Sequence, residues 1–212
     1  MAVFKDRVDA AEKLLPKLRK YTGSSDTLIV GLPRGGMITA AYLAEWLGLP
    51  LDFIIAKKIG APGNSELAVG AVTEDGIKYL DKEIIDSIGV DPCYVRLELR
   101  KKQLEAFEKS KLYRGGKKPP SYKDKNIILV DDGMATGSTM LAAVGAARAR
   151  GAKAVIVAVP VASWEAALKI KKIADGFVCP EVDRYLESVG EFYEDFPQIE
   201  DDRVLALLNK HG

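Results

Sequence analysis

Apolar residues follow two alternating rhythms along this chain. Short unbroken runs occupy residues 27–32, 51–56, 127–130 and 154–160, and between them apolar side chains return every three or four positions. Short runs bounded by turn residues suit strands buried on both faces, and the longer period suits helices with one apolar side. The first helical segment covers 6–20, with Val8, Ala11, Leu14, Leu15 and Leu18 in step and Pro16 expected to kink or split it. A helix over 37–47 is closed by Gly48 in a capping position. Asp91-Pro92 opens a long charged helix reaching 112. Further helices are expected at 138–150, ended by Gly151, at 163–173 with Ser163 as a candidate cap, and at 201–209. Residues 176–179 read as a last short strand. Residues 59–66, with Gly60, Pro62, Gly63 and Asn64, read as a loop. Two short strands, 67–73 and 77–80, are joined in a hairpin at Glu74-Asp75-Gly76.

Strands alternating with helices predict an α/β fold, a mostly parallel central sheet with helices on both faces. No internal repeat or linker divides the chain, so residues 1–212 are expected to form one domain. It carries a helical insertion near 91–122 and an acidic, aromatic tail from Glu181.

Composition narrows the partners. Hydrophobic residues at 48% and charged residues at 29% are those of a soluble globular protein, and 31 Lys+Arg against 30 Asp+Glu leave a net charge of +1. Net charge therefore gives no drive toward nucleic acid or membrane, and nucleic acid is not an expected partner. No apolar stretch reaches the ~20 residues that span a bilayer. The early charges of Met-Ala-Val-Phe-Lys-Asp-Arg contain no signal-peptide core, so a cytoplasmic location is expected. Cys93 and Cys179 read as buried free thiols, and His211, the sole histidine, as a solvated residue at a fraying end. One histidine in that place excludes Ser-His-Asp and Cys-His catalysis. P-loop and Gly-x-Gly-x-x-Gly fingerprints are both missing.

The most informative stretch is Ile127-Ile-Leu-Val-Asp131-Asp132-Gly-Met134-Ala135-Thr136-Gly137-Ser138-Thr139. A buried strand ends in two adjacent carboxylates, and ligands of open α/β sheets sit at such strand ends. Asp131 and Asp132 suit a diol or a metal-bound sugar. Ala135 to Thr139 can offer backbone N–H groups at a helix N-terminus, a cradle for phosphate. Vicinal hydroxyls beside a phosphate describe a ribose 5-phosphate. A second candidate is Gly31-Leu-Pro-Arg34-Gly35-Gly36-Met37, at a strand end that opens a helix. Its glycines let backbone approach an anion, and Arg34 adds a planar cation. Alone, these residues fit a tight turn equally well. Lys57 and Lys58 follow the second strand, where a lysine pair is ordinarily solvated.

The 127–139 stretch resembles the phosphoribosyl pyrophosphate (PRPP) signature of the type I phosphoribosyltransferases: four apolar residues, two acids, three variable positions, then Thr-Gly-x-Thr. Every fixed position matches. The resemblance covers roughly 27–179. It implies transfer of ribose 5-phosphate from PRPP to a nitrogen acceptor such as a nucleobase, with release of pyrophosphate. Mg²⁺ is the implied cofactor, held indirectly by Asp131 and Asp132 through PRPP or water. It also implies that Arg34, Gly35 and Gly36 bind pyrophosphate. Lys57 and Lys58 join them at the start of a mobile lid ending at Glu66, Met134 to Thr139 hold the 5′-phosphate, and a homo-oligomer, a dimer, is expected. The arrangement is similar to a group of bacterial and archaeal proteins classed with the family by sequence, which brings no acceptor with it.

One position departs. Hypoxanthine–guanine members place an Asp before the motif's Thr, for the purine N7, and this chain has Ala135. Adenine-, uracil- and orotate-type acceptors stay open. Base recognition could fall to the first helix, the insertion or the tail, whose Tyr185, Phe192, Tyr193 and Phe196 are expected to pack rather than to stack on a base. The rival readings are a PRPP- or nucleotide-binding regulator without turnover and, lower, a PRPP synthetase.

Overall fold

The computed structural model describes residues 2–211. Asp6 accepts hydrogen bonds from the Val8 and Asp9 amides and so starts helix α1 (Arg7–Leu18). Pro16 lies inside α1 without splitting it. It sits on the exposed side, where water can satisfy the carbonyl that its missing N–H leaves unbonded. Strand β1 (Thr27–Gly31) leads to α2 (Gly36–Leu47) and β2 (Leu51–Phe53). The run expected as one strand over 51–56 is divided. Its first half joins the parallel sheet, and Ala56 begins a second sheet made of β3 (Ala56–Ala61), β4 (Asn64–Thr73) and β5 (Lys78–Leu80).

That second sheet corrects the expected loop at 59–66, which is the tip of an antiparallel β3–β4 hairpin. Gly63, at φ 74°, turns it. Gly60 sits at a register shift, where a Cβ would stand 2.7 Å from the Ser65 Cα. The glycines that read as loop signals are instead a turn and a close backbone approach. Helix α3 (Lys82–Ile88), not expected from the sequence, is capped by Asp81, and α4 (Pro92–Arg114) by Asp91.

The chain then returns to the first sheet with β6 (Asn126–Val130), α5 (Ser138–Ala149) and β7 (Ala154–Ala158). Short β8 (Val161–Ser163), unforeseen, leads into α6 (Trp164–Lys171), with Ser163 capping as expected. Strands β9 (Gly176–Val178) and β10 (Glu181–Asp183) precede the tail and α7 (Asp201–His211).

The central sheet is wholly parallel, in the order β2-β1-β6-β7-β9. Ile127 and Leu129 pack with Met140 and Val144 of α5 on one face. Ile29, Ile128 and Ile156 pack with Leu14, Leu18, Leu43 and Leu47 of α1 and α2 on the other. Burial on both faces explains why these strands read as unbroken apolar runs. Strand order reverses between β1 and β6, the switch point where open α/β sheets form a crevice. Gly31 is level with Val130, and Val130 with Ala158. The loops after β1 and β6 therefore leave the same edge side by side.

Three expectations for single residues change. Cys93 is exposed, because it lies on the outward side of α4, whereas Cys179 is half-buried and burial pushes its thiol up to about 12. His211 is half-buried rather than solvated, since Val204 and Leu207 seat α7 and carry the helix to its end.

Candidate active site

Asp131 and Asp132 leave β6 at the switch point, directly beneath the loop that follows β1. The two are not equivalent. The Asp132 amide donates to Asp131 Oδ1 at 2.9 Å. Desolvation, and then the adjacent Asp132 charge, push the Asp131 carboxyl well above the usual carboxylate range. Asp132 instead receives the Arg7 guanidinium, with Nε 2.8 Å from Oδ2. Arg7 also donates to the Pro197 carbonyl at 2.9 Å and lies 3.8 Å from the Phe196 ring centroid. Tyr193 donates its hydroxyl to the Asp132 carbonyl at 2.5 Å. The first helix and the tail thus converge on the second acid.

The 34–36 loop is packed onto the acids without slack. A Cβ on Gly35 would overlap Asp132 Oδ2. A Cβ on Gly36 would stand 2.6 Å from Asp131 Oδ1 and 2.8 Å from the Asp131 Cα. Only hydrogen fits at either place, which is the reason for glycine here. The Pro33–Arg34 peptide bond is cis. Arg34 reaches outward, its Nη1 3.3 Å from Glu200 Oε2, just ahead of α7.

The 134–139 loop is held from below. Met134 pairs with Ala162 of β8, and Ser163 donates its hydroxyl to the Ala135 carbonyl at 2.6 Å. Gly137, at φ 75°, turns the chain into α5, whose N-terminus has no side-chain cap. Thr136 is exposed, Ser138 is buried, and their hydroxyls lie 3.3 Å apart. First-turn amides left uncapped in this way can receive an anion.

The two lysines are on β3 rather than in a loop. Lys58 pairs with Glu66 at 3.1 Å across the hairpin. Lys57 lies in the field of Arg34, with Glu105, Lys109 and Lys102 of α4 around it, and burial lowers its pKa. Arg34, Lys57 and Lys109 thus form a cationic cluster between β3, α4 and the loop after β1. Asp201 anchors it, accepting from Lys109 at 2.5 Å and from Tyr113 at 2.6 Å.

Sequence reading missed Arg7, and a signal was present. Arg7, Ala11, Leu14 and Leu18 share one helical face, so a cation stands in line with the apolar stripe. A cation at a helix N-terminus also opposes the helix dipole, and here Asp132 answers it. The aromatic expectation fits in part: Tyr193 packs on Phe4 and Phe196 on Tyr193, while Tyr185 is 87% exposed.

Residues 4–194 match the sequence model described as the phosphoribosyl transferase domain. The chain belongs to the phosphoribosyl transferase family. It is 34% identical over 210 residues to a Mycobacterium tuberculosis protein, found in two strains and provisionally named phosphoribosyl transferase. That match takes in 99% of this chain and 47% of the relative, so the chain spans about half the length of the curated relatives it matches. TT1426 from Thermus thermophilus is 36% identical, superimposes with a TM-score of 0.78, and is covered over 99% of its length by 100% of this chain. A hypoxanthine phosphoribosyltransferase from Staphylococcus aureus shares the fold at 12% identity, with a TM-score of 0.50 over 87% of this chain and 78% of that one. The family's fold is accordingly the mostly parallel sheet described above. Among the described residues no helix is long and apolar enough to cross a membrane.

Proposed function

We propose that this chain is a cytoplasmic phosphoribosyltransferase that moves ribose 5-phosphate from PRPP to a nitrogen acceptor of the nucleobase class. One observation carries the reading: the acid pair and uncapped helix N-terminus of the β6–α5 connection meet the Gly35-Gly36 pair of the β1–α2 loop at one switch point. In the reaction the bond from the ribose anomeric carbon to the pyrophosphate oxygen breaks, and its electron pair leaves with pyrophosphate. The acceptor nitrogen supplies the pair for the new bond and gives up its proton. Positive charge grows on the sugar and negative charge on the leaving group, so fixed charges and dipoles provide the catalysis and no protein nucleophile is needed.

In this reading Asp131 and Asp132 hold the ribose hydroxyls. Arg7 uses Oδ2 of Asp132 and leaves Oδ1 for the sugar. Met134 to Thr139 receive the 5′-phosphate. Arg34, the Gly35 and Gly36 amides, Lys57 and Lys58 face pyrophosphate. Among the described residues no group of three or more His, Cys, Asp or Glu could hold a metal. Two carboxylates without a third ligand fit an Mg²⁺ that arrives on the substrate with phosphate and water oxygens around it. When bound, it neutralises charge on the departing pyrophosphate.

A PRPP-binding protein without turnover is favoured by one observation, the ion pair by which Arg7 occupies Oδ2 of Asp132. The same experiment separates the two readings. Titration calorimetry with Mg-PRPP is expected to give binding in the wild type and none in the folded double variant Asp131→Asn, Asp132→Asn. Pyrophosphate release across an acceptor panel is then expected with adenine-type or pyrimidine acceptors, and little with hypoxanthine or guanine, since Ala135 offers N7 no charge. No binding at all sinks the proposal. Tight binding with a silent panel moves the assignment to the regulator.

A further inference from the structure

A cavity of about 430 Å³ lies at the outer edge of the parallel sheet, where β2 is the last strand. It is lined by β2, by the second half of α7, and by the end of α4 with the connection that follows. None of its lining residues belongs to the 34–36 loop, the 131–139 stretch or the lysine pair of β3. Leu51 and Phe53 of β2 and Leu205 and Leu208 of α7 make much of the lining apolar. Cavities that take small molecules combine such a lining with a few fixed polar groups, at this size.

The polar groups here are mostly cations. Arg114, Lys117 and Lys118 line the cavity together with a single carboxylate, Asp52. Asp52 is committed inside the protein. It is 2% exposed, accepts the Tyr122 hydroxyl at 2.8 Å and holds the Arg114 guanidinium. Arg114 also donates to the Phe53 carbonyl at 3.3 Å and lies 3.9 Å from the Phe53 ring centroid, so it is fixed in place. The two lysines are surplus to this arrangement. Lys111 and Arg114, in the last turn of α4, already answer the helix dipole. Gly115 and Gly116, at φ 54° and 84°, then turn the chain, and the Lys117 amide donates to the Arg114 carbonyl at 2.9 Å. That turn brings Lys117 and Lys118, both exposed, to the cavity.

We propose that this cavity is a second binding site, for a phosphate monoester carried on an apolar body. Charge selects the head. Three cations less one carboxylate leave two positive charges in the lining, which match the charge of about −1.5 to −2 on a phosphate monoester near neutral pH. The leucines select the body, since removing apolar surface from water against Leu51, Leu205 and Leu208 is favourable. Neither half suffices alone. A bare phosphate meets two solvated lysines, whose attraction is weak and screened, and a neutral body leaves them unused. The proposal stands independently of what the candidate active site binds.

Amide correlation spectra of the full chain, titrated with naphthyl phosphate, test it. Saturable shifts are expected at the Gly115, Lys117 and Leu208 amides, with a dissociation constant of about 0.1–1 mM, the range that a ligand of this size reaches. Inorganic phosphate and naphthol supply the head and the body alone, and each is expected to bind at these amides about tenfold more weakly or worse. Lys117→Glu with Lys118→Glu changes two exposed positions, so its circular dichroism is expected to match the wild type. It should weaken naphthyl phosphate by about tenfold or more. Shifts confined to residues 135–139 would place the probe on the phosphate loop and overturn the proposal. Binding at the cavity that the double variant leaves unchanged overturns it too, as does the absence of any saturable shift. Inorganic phosphate as tight as naphthyl phosphate would remove the role of the apolar lining, and naphthol as tight would remove that of the lysines; either result overturns the assigned ligand class.

Discussion

The two loops at the switch point are built in opposite ways. The 34–36 loop is closed: its glycines touch both acids, Arg34 is taken by Glu200, and Asp132 beneath it is taken by Arg7. The 135–139 loop is open: Thr136 is exposed, α5 starts without a side-chain cap, and no charged side chain lies in it. A ligand at the open loop meets first-turn amides of which only Ser138's has a partner, the Thr136 hydroxyl at 3.5 Å. A ligand at the closed loop must exchange one set of ionic partners for another. This difference suits the proposed substrate, whose 5′-phosphate stays with the sugar throughout while its pyrophosphate has to leave.

Substitutions that break the close packing should show the contrast most strongly. In Gly36→Ala the new Cβ would stand 2.8 Å from the Asp131 Cα and 3.0 Å from the Val130 carbonyl oxygen, both backbone atoms that cannot swing aside. We expect a loss of about 2–3 kcal/mol of stability in urea denaturation. Thr136→Ala in the open loop should stay within about 0.5 kcal/mol. Equal effects would remove the distinction between a closed and an open loop.

Charge at the closed loop comes next. Arg34→Ala is expected to weaken pyrophosphate and PRPP by about 10- to 100-fold in calorimetry while changing a nucleoside monophosphate little. Equal losses for all three ligands would place Arg34 outside the leaving-group site.

The acids themselves differ in a way that pH can read. Asp131 has its pKa raised by burial and by Asp132. A carboxyl raised in the folded state favours folding fully below its unfolded pKa, about 3.9, and loses that contribution as pH rises through the folded value. Asp131→Asn removes the charge that is costly to bury. Its melting temperature should therefore exceed the wild type's near pH 8 and match it near about pH 4, while PRPP binding is lost. A variant no more stable at high pH would mean that Asp131 is well solvated.

How much of this could be read in advance depends on sequence distance. The parallel strands, α2, α5 and the 127–139 stretch were legible because burial on both faces and local turn chemistry leave marks within a dozen residues. The hairpin tip at 59–66 was not: Gly60, Pro62 and Gly63 carry the same signal in a tight hairpin as in a loop, and only the pairing of Lys58 with Ala71 and Ile59 with Gly70 separates them. Arg7 was hidden for a different reason. Its partner lies 125 positions away, and a charged residue at the start of a helix ordinarily faces water. The engagement of Arg34 by Glu200 spans 166 positions and leaves no local trace.

That last pair gives the smallest expected effect and the finest test of the closed loop. Arg34 Nη1 and Glu200 Oε2 are 3.3 Å apart, with the side chains 36% and 73% exposed, so the pair is weak and screened by solvent. Glu200 nonetheless offers Arg34 an anion where pyrophosphate is proposed to bind. Glu200→Gln keeps the size and removes the competing charge. It should tighten pyrophosphate and PRPP by about two- to threefold at low ionic strength, with the gain fading toward 1 M salt as the Debye length shrinks to about 3 Å. A nucleoside monophosphate, which does not reach Arg34 in this reading, should bind unchanged. Asp201 next door is the control. It holds Lys109 and Tyr113, so Asp201→Asn should loosen α7 and lower the melting temperature rather than sharpen binding. Weaker pyrophosphate binding in Glu200→Gln would mean that Glu200 positions Arg34 for the ligand, and the closed loop would then be prepared by its internal anion rather than blocked by it.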